Sequence, residues 1–232
     1  MSGDVAAIVP AAGASQRCGG PIRKPFVCLN GQPLLAYSLQ VLQESPAIRW
    51  ITLVIGASDA ARAEALLKRF RITKALPPCL GGPSRADSVA RGFAALPAEA
   101  SWVLVHDGAR PCVSRPLIDH AVRAARHHGA VACGLPATLT VKAVDERREV
   151  RLTLDRDHLW FVQTPQVFRR DWFAQALVRA DHALSQFPDD AAILEAAGFH
   201  VRMILGDPLN LKVTTRDDLL LAEAILQVRG KR

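Results

Sequence analysis

A chain of 232 residues with 50% hydrophobic and 22% charged side chains has the composition of a soluble globular protein, and no apolar run nears the roughly 20 residues that cross a bilayer. Its 29 lysines and arginines against 22 acidic residues leave +7, yet no basic run exceeds two residues and there is one tyrosine, which argues against nucleic-acid binding. Five cysteines, at 18, 28, 79, 112 and 133, lack C-x-x-C spacing, which argues against a zinc site or a disulfide framework, and no basic leader precedes the first strand, so a reduced cytoplasm is the expected setting.

The apolar run 5–9 leads into Pro10, Ala11, Ala12 and Gly13 and then reaches Arg17, Gly19, Gly20, Arg23 and Lys24. Small residues let backbone N–H groups approach a ligand closely, and glycine permits the turns that wrap them around an anion. Arginine and lysine on the same loop add full positive charge, so a polyphosphate is the ligand this chemistry suits best. The stretch is no P-loop, since no Gly-Lys-Ser/Thr occurs in the chain, and no dinucleotide fingerprint, since Gly13 has no second glycine in register. Taken alone it is equally an ordinary strand-to-helix loop, and the other motifs have to decide.

Residues 33–43 are predicted helical, with Leu34, Leu35, Leu39 and Leu42 on one face. A buried strand over 50–55 ends at Gly56, and a helix over 58–70 starts with Ser58 as its N-cap. A short strand 72–76, a helix 85–96, a strand 102–106, a helix 114–128 and a strand 131–135 follow. Residues 139–156 break the pattern with two strands of period about two, joined by the charged turn 145–149. Such a hairpin cannot bury its own apolar face, is marginal alone in water, and is expected to pack on another subunit. Strand 160–163, helices 169–185 and 189–197, strand 200–205 and helix 215–227 complete the chain. This alternation predicts an α/β, Rossmann-like fold, a mostly parallel twisted sheet with helices on both faces, with ligands at the C-terminal strand ends. The expectation is one domain over residues 1–232, with 139–156 as a protruding dimerisation and substrate arm and no room for a second catalytic domain.

Six motifs carry the chemistry: Pro10-Ala-Ala-Gly13 with Arg17 and Lys24, Gly81-Gly-Pro-Ser-Arg-Ala-Asp-Ser-Val89, Val105-His-Asp-Gly-Ala-Arg-Pro111, Asp155-Arg156, Thr164-Pro-Gln166 and Asn210-Leu-Lys-Val-Thr214. In order and spacing, over nearly the whole chain, they resemble the 2-C-methyl-D-erythritol 4-phosphate cytidylyltransferases of the non-mevalonate isoprenoid route. The resemblance implies a homodimer joined through the hairpin arms and a Mg²⁺-dependent condensation of CTP with 2-C-methyl-D-erythritol 4-phosphate. The products would be 4-diphosphocytidyl-2-C-methyl-D-erythritol and pyrophosphate. The acceptor's phosphate oxygen would attack the α-phosphorus in line; a phosphate dianion is already a nucleophile, so the protein has to position and to neutralise charge.

By the same resemblance Lys24 sits on the α-phosphate, Arg17 faces the triphosphate, and Lys212 lies near the α-phosphate and the acceptor. Gly82 and Ser88 read cytosine beside the backbone of Ala11, Ala12 and Gly13. Asp107 holds magnesium or the acceptor's hydroxyls, hard oxygen ligation being suited to Mg²⁺. Thr140 and Arg156 reach the neighbouring subunit's site and bind the acceptor phosphate, and Thr164 lies near by. His106 is given no catalytic role, because strand alternation turns it away from the face of Asp107. Departures from the family pattern are Arg23-Lys24-Pro25 in place of Pro-Lys-Gln, Leu139 in place of an aspartate, Pro188-Asp189-Asp190 in place of Thr-Asp-Glu, and Gly108 in place of an alanine. Most of these touch the acceptor half, so the alternatives are a ribitol 5-phosphate cytidylyltransferase or a non-catalytic nucleotide-binding protein.

Overall fold

The computed structural model describes residues 4–13 and 23–230. In chain order, β1 (Val5–Pro10) is followed by a small ribbon of β2 (Cys28–Leu29) and β3 (Gln32–Pro33), then α1 (Leu34–Glu44), β4 (Ile48–Ile55), α2 (Ala60–Arg69), β5 (Cys79–Leu80), α3 (Arg85–Ala94), β6 (Trp102–Val105), α4 (Arg115–His128) and β7 (Ala130–Pro136). The hairpin of β8 (Val141–Val144) and β9 (Val150–Leu154) comes next, then β10 (Trp160–Arg169), α5 (Arg170–Ala180), α6 (Asp190–Ala196), β11 (Arg202–Leu205) and α7 (Arg216–Gly230). Seven strands form one sheet in the order β11-β7-β10-β6-β1-β4-β5. All run parallel except β10, which is antiparallel to both β6 and β7.

Alternation along the strands builds the two cores. In β1, Val5, Ala7 and Val9 face Leu35 and Leu39 of α1, Ala63 of α2 and Ile118 of α4. Ala6 and Ile8 face the other way, against Val89 of α3, Phe173 of α5 and Ile193 of α6. A strand covered on both sides has no solvent face to mark with polar residues, which is why β1 reads as an unbroken apolar run. Among the described residues no helix is long and apolar enough to cross a membrane.

β1 sits between β4 and β6, and the chain leaves it first toward β4 and later returns to β6 on its other side. That reversal opens a crevice at the C-terminal ends of these strands, where α/β sheets take ligands.

Four expectations are corrected. The strand expected at 72–76 is only a single bridge, Ala75 to Ile51; Arg71 turns the chain at a positive φ of 51°, and Pro77 and Pro78 have no N–H to give a ladder, so pairing with β4 begins at Cys79. The strand expected at 160–163 continues to Arg169 through a register shift between Val162 and Gln166 that accommodates Pro165. The helix expected at 169–185 is α5 followed by a 3-10 stretch, Asp181–Gln186. Ser58 does not cap α2; it lies in a 3-10 turn, Ala57–Asp59, and its Oγ accepts from Arg23.

Candidate active site

One side of the site is built from the ends of β1 and β5. Ala11 is anchored by its N–H on the Val54 carbonyl at 2.7 Å, and Gly81 by its N–H on the Ile55 carbonyl at 2.8 Å, so both loops leave the sheet side by side. They approach so closely that a Cβ on Gly81 would lie 2.3 Å from Ala12 Cβ and 2.9 Å from Ser88 Oγ. The structure therefore brings Ala11, Ala12, Gly81, Gly82 and Ser88 together. Ser88 is buried in the first turns of α3; its Oγ accepts from the Gly82 N–H at 3.1 Å and donates to the Ser84 carbonyl at 2.9 Å. Its hydroxyl thus shapes the glycine loop. Ser84 caps α3 through a reciprocal pair with Asp87, which fixes where the helix starts.

The other side centres on Asp107, just past the end of β6. Its Oδ1 accepts from Arg85 Nε at 2.9 Å, and its Oδ2 lies 2.8 Å from Lys212 Nζ and 3.9 Å from Arg110 Nε. Burial works to raise this carboxyl, but Arg85, then Lys212 and Arg110, outweigh it and hold Asp107 far below the usual carboxylate range. Arg85 also binds Asp190 at 2.8 Å, and Asp190 is fully buried; there burial outweighs the arginine and the carboxyl is raised. Three cations against two carboxylates leave a positive surplus before Lys24 is counted, which suits anionic substrates.

The loop carrying Lys212 is held rigidly. Arg110 Nη1 donates to the Asn210 carbonyl at 2.8 Å, Asn210 Nδ2 to the Thr164 carbonyl at 2.8 Å, and the Val213 N–H to the Ala109 carbonyl at 2.8 Å. Thr164 Oγ1 accepts from the Asp107 N–H at 3.0 Å, joining β10 to the same cluster. From the opposite end of the chain, Lys24 Nζ donates to the Val213 carbonyl at 3.1 Å.

Lys24, Asp107, Thr164 and Lys212 are thus brought into one neighbourhood. Arg17 lies outside the described residues. Thr140 and Arg156 are exposed on and beside the hairpin, where Arg156 Nη1 donates to the Thr138 carbonyl at 2.7 Å. Among the described residues no hydrogen bond or ion pair joins either of them to the Asp107 cluster. His106 is completely buried, its Nδ1 3.1 Å from Thr164 Oγ1 and its Nε2 3.4 Å from the Arg110 carbonyl, and burial lowers its pKa to about 4.

Sequence reasoning gave no role to Arg85, Arg110, Asp190 and Asn210. Arg85 and Arg110 stood inside quoted motifs, three residues before Ser88 and three after Asp107, and the signal that could have singled them out is their charge. A buried carboxylate at a strand end needs cationic partners.

The model of the family described as 2-C-methyl-D-erythritol 4-phosphate cytidylyltransferase matches residues 5–228. A protein of that name from Desulforamulus reducens is 36% identical over 229 residues, 98% of each chain. Another from Dehalococcoides mccartyi is 40% identical over 223 residues, 96% of each. The crystal structure of 4-diphosphocytidyl-2C-methyl-D-erythritol synthase from Anaerococcus prevotii superposes with a TM-score of 0.85 at 28% identity, covering 96% of each chain.

Proposed function

The chain belongs to the 2-C-methyl-D-erythritol 4-phosphate cytidylyltransferase family, and from that premise we propose how its residues divide the transfer of a cytidylyl group from CTP to 2-C-methyl-D-erythritol 4-phosphate. The small-residue loops at Ala11–Gly13 and Gly81–Gly82 take the cytidine, close packing leaving room for a flat ring and backbone groups to read its edge. Arg17 and Lys24 take the triphosphate. Lys212, with Asp107 beside it, receives the acceptor, and Thr164 fixes the Asp107 backbone.

An oxygen of the acceptor phosphate forms the new bond to the α-phosphorus as the bond to the bridging oxygen of pyrophosphate breaks. No proton has to be removed from the nucleophile. The protein's work is to bring two anions together and to neutralise charge on the α-phosphoryl group and the leaving pyrophosphate. The observation that carries this reading is the convergence of Lys24 and Lys212, drawn from opposite ends of the chain, on one strand edge: Lys24 is 3.1 Å from the Val213 carbonyl and Lys212 2.8 Å from Asp107.

Magnesium dependence is part of the proposal, in one form. Among the described residues no three His, Cys, Asp or Glu side chains gather to cage a metal, and both oxygens of Asp107 are engaged by cations. The donor set fits Mg²⁺ carried by triphosphate oxygens and water, as that reluctantly dehydrating ion prefers, with Asp107 aligning the cations around it. When bound, the metal would offset charge on the triphosphate and on the departing pyrophosphate.

A homodimer through the hairpin arms and a cytoplasmic setting complete the reading; they rest on the apolar exposed arm and on four free cysteines among the described residues. The test is pyrophosphate release from CTP, with 2-C-methyl-D-erythritol 4-phosphate and ribitol 5-phosphate as parallel acceptors and with or without Mg²⁺. Turnover with the branched acceptor, abolished by chelation, is expected. Turnover with ribitol 5-phosphate alone would overturn the acceptor, and full turnover in chelator would overturn the metal.

A further inference from the structure

Arg23 precedes Lys24 and faces a different way. Its backbone is extended (φ −64°, ψ 138°), so consecutive side chains diverge. Lys24 reaches the Val213 carbonyl, while Arg23 turns back onto the exit of β1. Arg23 Nη2 donates to two successive carbonyls there, Ala12 at 2.8 Å and Gly13 at 3.1 Å. Its Nη1 donates to Ser58 Oγ at 3.2 Å and lies 2.8 Å from Asp59 Oδ2, a contact of charge rather than an aligned hydrogen bond. Asp59 is 1% exposed, so this pair is little screened by solvent.

One guanidinium therefore ties the exit of β1 to the exit of its parallel neighbour β4. Gly56 makes room for it: a Cβ there would come within 2.5 Å of Nη1. In a trans peptide the carbonyl of one residue and the N–H of the next point opposite ways, so holding the Ala12 carbonyl commits the Gly13 N–H to the other side of the loop. The charge of Arg23 is answered by Asp59, which leaves it unsuited to be a phosphate ligand itself.

We propose that Arg23, locked by Asp59, is a positioning residue that presets the Ala12–Gly13 backbone for the nucleotide. This rests on the reading of that loop as the nucleotide's. A preset backbone serves CTP alike in the ground state and the transition state, so its loss raises KM for CTP and leaves kcat. Lys24 acts on charge that develops in the transition state, so its loss lowers kcat.

The experiment compares Arg23→Ala, Arg23→Lys, Gly56→Ala and Lys24→Ala with the parent in full steady-state kinetics on both substrates, alongside thermal melts. Arg23→Ala and Gly56→Ala, the latter displacing the guanidinium without removing it, are expected to raise KM for CTP about tenfold, the scale of one charge-assisted hydrogen bond. The acceptor's KM and kcat should stay within about twofold. Arg23→Lys, keeping charge but losing the fork, should fall between. A lowered melting point with KM for CTP unchanged would make the contact merely structural and overturn the proposal. If Arg23→Ala does not fold, Gly56→Ala and Arg23→Lys decide by the same KM. If Lys24→Ala also leaves catalysis untouched, the loop is not the nucleotide's and both readings fall; if only Lys24→Ala acts, the loop reading stands and the clamp falls.

Discussion

Asp107 stands among three cations and owes its ionised state to them, which makes it the residue whose charge matters most to its neighbours. Asp107→Asn keeps the shape and removes the charge. Arg85 retains Asp190, but buried Arg110 loses its anionic neighbour and Lys212 its anchor. Stranding a buried cation costs on the order of 3 kcal/mol, so a calorimetric melt should fall by roughly 6–12 °C, and KM for the acceptor should rise more than KM for CTP. His106 shows the opposite use of burial. Its folded pKa of about 4 lies below the ~6.5 of an unfolded histidine, so the unfolded chain binds the extra proton between those values. The stability attached to His106 is therefore complete above pH 6.5 and falls as pH drops toward 4, by about 3 kcal/mol in all. Asp190, whose pKa burial raises, acts with the opposite sign at the acid end. Denaturant titrations at several pH values should show this slope flattened in His106→Gln. The acid limb of activity should survive that substitution, because it belongs to the acceptor phosphate, whose second pKa is about 6; its disappearance would make His106 a proton carrier after all.

Helix α3 delivers Arg85 to one half of the site and Ser88 to the other, so its seat on the sheet sets both. The seat is close because Gly92 has no side chain: a Cβ there would meet Ile8 Cγ2 at 2.6 Å and Val54 Cγ2 at 2.8 Å, both in the central strands. Gly92→Ala gains about 1 kcal/mol of helix propensity but overpacks the core by ~1–3 kcal/mol. The expected outcome is net destabilisation in a chemical melt together with weaker CTP binding as α3 is lifted; a stabilised protein would show that the helix can shift freely. Elements of this kind were legible in the sequence where period and burial agree, as in β1, β4 and α1. Their failures have local causes. Residues 72–76 are bounded by the apolar Ile72 and Leu76, yet the turn at Arg71 and the prolines at 77 and 78 deny them a ladder. In β10, Pro165 reads as a stop, whereas the strand passes it at a bulge and pairs antiparallel on both sides, which no single segment's pattern reveals. At the site, the family resemblance pointed to Asp107, Lys24 and Lys212, but gave no role to Arg85 and Asp190, and a pair 105 positions apart leaves no periodic trace.

The hairpin of β8 and β9, with the residues that flank it, gathers exposed apolar side chains that a single chain does not cover. Leu139, Val144, Val150, Leu152 and Phe161 are each more than half exposed. A two-stranded ribbon with such faces is not independently stable in water, and a second copy of the chain, related by a two-fold axis, would cover both arms at once. Arg156 lies at the base of that arm, where it donates to the Thr138 carbonyl, and among the described residues no hydrogen bond or ion pair joins it to the Asp107 cluster of its own chain. In the proposed reading it serves the site of another chain. An exchange of arms makes a strict prediction about mixed dimers. A chain with Arg156→Ala keeps an intact Lys24 and a disabled arm; a chain with Lys24→Ala keeps an intact arm and a disabled centre. Paired through exchanged arms, they form one site with both intact residues and one with neither. With random pairing, co-expression of the two inactive chains in equal amounts should restore about a quarter of the parent's specific activity, since half the dimers are mixed and each has one good site. Arms that serve their own chain would restore none, because every site would lack one residue or the other. Light scattering on the same preparations separates the two failures: inactive dimers refute the exchange of arms, and inactive monomers refute the dimer itself.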